Sequence, residues 1–302
     1  MSRLAAATVV AGLLSLAGCG GETAAPPREA KRSSRLVDFT KKPPYVNALE
    51  IDPATRDFLL ATNRGLFRIR RATDAVERVR GVVRDRTGAA SPVGTFLEVT
   101  AVGGGEFVGS GHPDDPRAGL PAYLGLIRSR DGGRTWNVVS RLGEADLHQI
   151  VEAHGRLYGW DAVLSALLIT GDGGRTFEEN FTPPGLILDI AVDPADPKRV
   201  VAANDQQLFR STDAGKRWRG IDSGEAFRLV WPAPDALYRA SRDGRVERSR
   251  DGGTRWSPTG TVPGEPYKFK AVSAAELYLA LSDGTIMRSG DAGTTWTPEF
   301  RP

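Results

Sequence analysis

Cysteine is almost absent from this chain: Cys19 is the only one among 302 residues. No intramolecular disulfide is possible, so stability has to come from burying a core. Long apolar runs are lacking too, and the stretch from Leu4 to Leu16 is too short to span a bilayer. Charge of one sign is also scarce. The formal net charge is +3, with Lys and Arg scattered rather than grouped, which leaves no basic footprint for nucleic acid. The mild basic excess still suits anionic headgroups or glycans. Histidine occurs three times, as His112, His148 and His154.

The first residues read as a targeting segment. Met1-Ser2-Arg3 is a short basic start, Leu4 to Leu16 an apolar stretch, and Leu16-Ala17-Gly18-Cys19 a small-residue site ending in cysteine. This resembles a bacterial lipoprotein signal. The resemblance implies cleavage before Cys19, a lipid on that cysteine, and anchorage on the outer side of the cytoplasmic membrane, at the cell surface or in the periplasm. Residues 20–35 carry Pro, Ser and alternating charge with almost no large apolar side chain, the composition of a solvated tether. Residues 36–302 are long enough for one large core.

What is abundant is a repeat. SRDGGRTW at Ser129 to Trp136 recurs as TGDGGRTF (Thr170 to Phe177), STDAGKRW (Ser211 to Trp218), SRDGGTRW (Ser249 to Trp256) and SGDAGTTW (Ser289 to Trp296), with a worn copy, ATDAVERV, at Ala72 to Val79. The marker aspartates are Asp74, Asp131, Asp172, Asp213, Asp251 and Asp291, separated by 57, 41, 41, 38 and 40 residues. A period of about 40 is one propeller blade per copy. Between the markers, short apolar stretches such as Leu186 to Val192 alternate with turns such as Asp193 to Lys198, which reads as a four-stranded antiparallel meander. The expected fold is all-β: a single six-bladed propeller, with seven blades as the alternative for the 57-residue interval. Two blades would need about 80 residues, so that interval reads as one blade with loop insertions at Arg80 to Pro92 and Gly111 to Ala122.

A tight turn explains the motif. The Asp can accept backbone N–H groups of its own loop, the second Gly permits positive φ, and the aromatic ring covers the outer strands. Six near-identical turns around a ring close six blades and are poor candidates for one active site. The motif S-x-D-x-G-x-T-W resembles the Asp-box, or bacterial neuraminidase repeat. Propellers with that repeat include sialidases, some endoglucanases, sortilin-type receptors and photosystem II assembly factors. The segments ATNRGLFR (61–68), GSGHP (109–113), LGLI (124–127), GEADLH (143–148) and YGWD (158–161) are similar to exported bacterial propellers labelled glycosyl hydrolases. Phe67-Arg68-Ile69-Arg70 resembles the Phe-Arg-Ile-Pro signature of sialidases, with Arg70 in place of Pro.

The meander scheme gathers the residues that do not repeat onto one face, opposite the repeat turns. His112, Glu144, Asp146, His148 and Asp161 converge there from the second and third repeats. A carboxylate pair could serve glycoside hydrolysis, and His with Asp could hold a divalent metal, although no metal ligand set and no cofactor is assigned. The simpler expectation is a hydrogen-bond network pinning the second repeat to the third. Arg228, Lys268 and Lys270 are expected at a basic channel mouth on the same face. The functional expectation is a monomeric, lipid-anchored scaffold that binds an envelope protein or glycan, with a sialidase-like glycoside hydrolase as the alternative.

Overall fold

The computed structural model describes residues 44–115, 117–222 and 228–302. The signal segment, Cys19, the tether and the first residues of the expected propeller lie outside them. Every regular element among the described residues is a strand, and none is a helix. The first sheet holds β1 (Val46–Ile51), β2 (Phe58–Thr62), β3 (Gly65–Arg70) and β4 (Ala75–Val79). Next come β5 (Val82–Arg84), β6 (Ala90–Ala101), β7 (Phe107–Pro113), β8 (Leu126–Ser129) and β9 (Thr135–Ser140). Then follow β10 (Leu147–Ala153), β11 (Arg156–Asp161), β12 (Ala166–Thr170) and β13 (Glu178–Phe181), and β14 (Asp189–Val192), β15 (Val200–Ala203), β16 (Leu208–Ser211) and β17 (Arg219–Asp222). The last two sheets are β18 (Arg228–Ala233), β19 (Ala236–Ala240), β20 (Arg245–Ser249) and β21 (Ser257–Thr261), and β22 (Pro266–Ala271), β23 (Leu277–Leu281), β24 (Ile286–Ser289) and β25 (Thr297–Phe300).

The arrangement is propeller-like, with five open four-stranded antiparallel blades in strict chain order. The second strands are buried along almost their whole length, as in Ala236–Ala240, because each is covered by a neighbouring sheet on both sides. Fourth strands such as Ser257–Thr261 are mostly exposed and carry Ser, Pro and Thr accordingly. Strands β1, β6, β10, β14, β18 and β22 contact one another in sequence, and β22 returns to β1. They form the wall of a central channel.

The expectation of six like blades, or seven, is corrected by the segment between the first two repeat markers. It forms a closed five-stranded sheet, β5 to β9, rather than an open blade. The cause lies in Arg80 to Pro92, expected as a loop. Val82, Val83 and Arg84 pair antiparallel with Pro92, Ser91 and Ala90, and parallel with Thr135, Trp136 and Asn137. β6 shifts register twice, between Val93 and Thr95 and between Phe96 and Glu98, and such irregularities bend a strand. Its first half can then serve β5 while its second half lines the channel. Val83, Phe96, Leu120, Leu124 and Trp136 share the resulting core. Trp136 is consequently fully buried, whereas Trp218, Trp256 and Trp296 stay partly exposed.

Five of the six repeat turns are built alike. In the second, Asp131 Oδ1 accepts from the backbone N–H of Arg134 (3.1 Å) and Thr135 (2.9 Å), and Oδ2 accepts from the Thr135 hydroxyl (2.6 Å). The Ser129 hydroxyl donates to Asp131 and accepts from Gly133 N–H. Asp172, Asp213, Asp251 and Asp291 repeat this scheme. Gly133 has φ +88°, and a Cβ there would lie 2.6 Å from Leu66 Cδ2. The fourth motif position is left-handed as well, even where it is Ala214 or Ala292. Asp74 departs from the pattern. It is exposed with φ 55° and takes no part in such a network, since the worn copy lacks the second glycine.

The first and last blades meet through side chains. Lys270 Nζ pairs with Glu50 Oε2 at 2.7 Å, Arg56 with Glu276 at 3.1 Å, and Arg71 with Glu299. The Phe58 and Tyr278 rings stand edge to face at 5.5 Å, with the Arg71 guanidinium over both.

Candidate functional site

In each meander the first-to-second turn and the repeat turn emerge on one face, and the entry loop and second-to-third turn emerge on the other. The second of these faces carries His112, near the end of β7, the loop before β10, and Asp161 at the end of β11. Asp146 is the hub. Its Oδ2 lies 3.1 Å from His148 Nε2 and its Oδ1 lies 3.6 Å from His112 Nε2. Asp161 Oδ1 accepts the backbone N–H of Asp146 (2.8 Å) and of Val163 (3.1 Å), and Ala162 N–H returns a bond to the Asp146 carbonyl. The Asp161 side chain is fully buried, and its Oδ2 has no hydrogen-bond partner among the described residues.

The two imidazoles differ in setting. His112 Nδ1 lies 2.9 Å from the Ala122 carbonyl, so Nδ1 carries the proton there and Nε2 faces Asp146. His148 stands edge-on to Trp160 at 5.5 Å. About a third of each imidazole side chain is exposed, against 13% for Asp146. The structure therefore joins His112, Asp146, His148 and Asp161. It does not bring in Glu144, which is exposed and turns toward Arg141 at 3.8 Å. Among the described residues no group of three or more His, Cys, Asp or Glu side chains is arranged to hold a metal ion. His154, on the repeat face, uses Nε2 against the Asp193 carbonyl at 2.8 Å.

Arg228 and Lys268 do not form an exposed basic mouth. Both are buried in the channel among acidic partners. Five of the six innermost strands place a polar side chain at matching positions: Glu98, Gln149, Asp189, Arg228 and Lys268. Lys268 Nζ donates to Gln149 Oε1 at 2.9 Å and lies 3.7 Å from Glu98 Oε2. Asp189 accepts Ile190 N–H (2.9 Å) and Leu229 N–H (3.1 Å), while Arg228 and Gln149 both donate to the Leu188 carbonyl. Lys270, nearer the repeat face, pairs with Glu50.

Burial dominates the electrostatics of this plug. It pushes the Glu98 carboxyl up to about 7 against the opposing pull of Lys268, and pushes Asp189 upward against Lys268 and Arg228. The same desolvation depresses Lys268 and Arg228, with the carboxylates opposing it. On either side of the plug lies a cavity, and both have Gln149 and Lys268 in their walls. The one toward the His112 face is about 130 Å³ and includes Tyr45, His148, Trp160 and Leu186. The one toward the repeat face is about 380 Å³.

Glu98, Gln149 and Asp189 were not singled out from the sequence. Their signal was a lone polar residue inside an apolar inner strand, as in Leu97-Glu98-Val99 and Leu188-Asp189-Ile190. It becomes legible only when the inner strands are aligned on the repeat.

No family model matches the chain. A 97-residue stretch is 32% identical to the dispase autolysis-inducing protein of Streptomyces mobaraensis, covering 32% of this chain and 25% of that protein. The chain thus spans about a quarter of the length of that curated relative. Among solved structures, a protein provisionally described as a gluconolactonase aligns with a TM-score of 0.59 at 13% identity, over 82% of this chain and 88% of that one. An ancestral GH74 enzyme aligns with a TM-score of 0.54 at 11% identity, over 85% and 38%. YCF48 from Cyanidioschyzon merolae gives 0.49 at 12% identity, over 84% of each chain. The first two of these structures show a β-propeller fold, and a fold of this kind carries unlike functions.

Proposed function

We propose that the chain is a binding propeller, anchored by lipid on Cys19 outside the cytoplasmic membrane, that docks an envelope protein on the face bearing His112, Asp146 and His148. One observation carries this reading. Of the six exposed large apolar side chains among the described residues, five (Tyr45, Val163, Leu164, Phe181 and Leu186) belong to loops or strand ends on that face. Phe181 is 80% exposed. Apolar side chains grouped on one rim mark interaction surfaces, and an aromatic and apolar rim around two partly exposed imidazoles over mostly buried carboxylates suits a protein partner better than a glycan. The name of the Streptomyces relative describes an action on dispase, which is in keeping with a protein partner.

The hydrolase alternative draws less support. Asp161 is fully buried and bound to two backbone N–H groups, and Glu144 points away, so only Asp146 is left to act beside the imidazoles. General acid and base work on a glycosidic bond uses two carboxyl groups flanking it. The resemblance to Asp-box propellers is compatible with either role.

The test is a crosslinked pull-down from native membranes with the full chain and with the variant Leu164→Asp/Phe181→Asp. One stoichiometric protein captured by the parent and lost from the variant is the expected result. Turnover of a chromogenic glycoside by the parent, abolished in Asp146→Asn, would refute the reading.

A further inference from the structure

We infer that the channel cavity opening on the repeat face is a second binding site, independent of the docking face, and that it takes an alkylammonium group whose charged end meets Glu98.

The shape is a deep cup. Its floor is the plug of Glu98, Gln149, Asp189 and Lys268, and its rim includes His154 and Pro194 from the first-to-second turns and Pro232 near the end of β18. A volume of about 380 Å³ lies in the range that holds small organic ligands. Its wall is two-sided. Two residues beyond the plug, blades β10–β13, β14–β17 and β18–β21 present Val151, Ala191 and Val230, while the other three inner strands present Glu50, Thr100 and Lys270. An unbranched alkyl chain fits along the first side with a polar head at the floor.

The sign of that head follows from the charges. Four carboxylates line the cavity, Glu50, Glu98, Glu152 and Asp189, against two ammonium groups, Lys268 and Lys270. Most of this charge is already committed. Lys270 is held by Glu50, Lys268 donates to Gln149, Glu152 accepts Gly155 N–H, and each Asp189 oxygen accepts a backbone N–H. Glu98 is the exception. Its Oε1 accepts Val99 N–H at 3.0 Å, but among the described residues its Oε2 meets only Lys268, at 3.7 Å and beyond hydrogen-bond length. Burial raises Glu98 to about 7 despite that lysine, and a cationic ligand at this oxygen would favour the ionised form. A carboxylate with spare acceptor capacity is completed by an ammonium donor. An anionic ligand would instead meet the four carboxylates.

Two sources supply this chemistry, a free amine or a lysine side chain of a partner. The full chain is titrated by calorimetry with n-pentylamine, with a capped Gly-Gly-Lys-Gly-Gly peptide and with pentanoate. Saturable one-to-one binding of the amine or the peptide is expected, weakened at least tenfold in Glu98→Gln. The same loss is expected in Val230→Phe, which fills the cup and leaves the plug charges in place. The tighter of the two ligands identifies the source. Absence of binding by both, binding undiminished in Val230→Phe, or pentanoate binding as tightly as the amine would overturn the assignment. Loss of binding in Leu164→Asp/Phe181→Asp, whose changes lie on the opposite face, would overturn its independence.

Discussion

Lys268 Nζ donates to Gln149 Oε1 at 2.9 Å across the middle of the ring, joining inner strands 119 residues apart in the chain. The bond runs between opposite walls of the channel rather than between neighbours. It also holds a buried ammonium within 3.7 Å of Glu98, so one lysine organises the charges of the plug.

Removing that cation strands its partners. Lys268→Met leaves Glu98 without its ammonium neighbour in a buried site, and loss of one member of a buried pair costs about 3–5 kcal/mol. Urea unfolding should show this fall. The double variant Lys268→Met/Glu98→Gln should recover much of it, because both charges are then gone. Additive losses would refute a coupled plug.

Stability should depend on pH in two opposite senses. Glu98 is raised from 4.5 to about 7. Between those values the folded chain keeps a proton that the unfolded chain has released, so unfolding free energy falls as pH rises through the window and levels off above it. The repeat turns act lower down. The Arg255 side chain holds Asp251 near 2, and the Thr295 hydroxyl holds Asp291 near 2. Their stabilisation is present above 3.8 and is lost as pH falls toward 2. The urea midpoint should therefore peak at about pH 4–5, and Glu98→Gln should flatten its descending limb. A parent midpoint that climbs from pH 5 to 7 is the contrary outcome.

The repeat turns should not be equal under substitution. Asp131→Ala deprives two backbone N–H groups and a hydroxyl of their acceptor and should cost about 1–2 kcal/mol, in line with the loss of a capping side chain. Gly133→Ala adds strain at φ +88° and a contact with Leu66, and should cost at least about 1 kcal/mol. Asp74→Ala should stay within about 0.5 kcal/mol, as an exposed residue outside any network does. Thermal melts of the three variants provide the comparison.

Val83→Pro should damage the closed sheet selectively. It removes a donor where β5 is paired on both sides and should cost about 3 kcal/mol or more. Exposure of Trp136 accompanies it, seen as a red-shifted fluorescence component, with the other tryptophans little changed.

Asp161→Ala and His112→Ala separate architecture from surface. The first leaves the Asp146 and Val163 N–H groups without an acceptor beneath the His112 face and should destabilise by about 1–3 kcal/mol. The second removes a part-exposed ring and should leave stability within about 1 kcal/mol while, on the proposed docking role, weakening capture in the pull-down.

The repeat made the blades legible because a tight turn ties Asp and Gly to fixed offsets, and those offsets survive in five copies. β5 was hidden for the opposite reason. Val82-Val83-Arg84 is too short to show alternation, and its second partner, around Trp136, is brought near only by the closed sheet. The meeting of His112, Asp146, His148 and Asp161 followed from strand order alone. The misplacement of Arg228 and Lys268 came from reading their charge without the acids opposite them. Glu98 and Asp189 carry no motif of their own, so their proximity exists only in the ring.

The seam between the first and last blades has a consequence for how the molecule forms. Among the described residues every blade is built from consecutive strands, so each can form locally as the chain lengthens. The contacts of Glu50 with Lys270 and of Arg56 with Glu276 are 220 residues apart, and the cost of closing so long a loop is repaid only when these partners meet. Ring closure is thus the most non-local event in folding. Until it occurs, the apolar flanks of the first and last blades are open to solvent and to each other's counterparts on neighbouring molecules. The period most exposed to aggregation or domain exchange comes at the end of folding, with every blade already made.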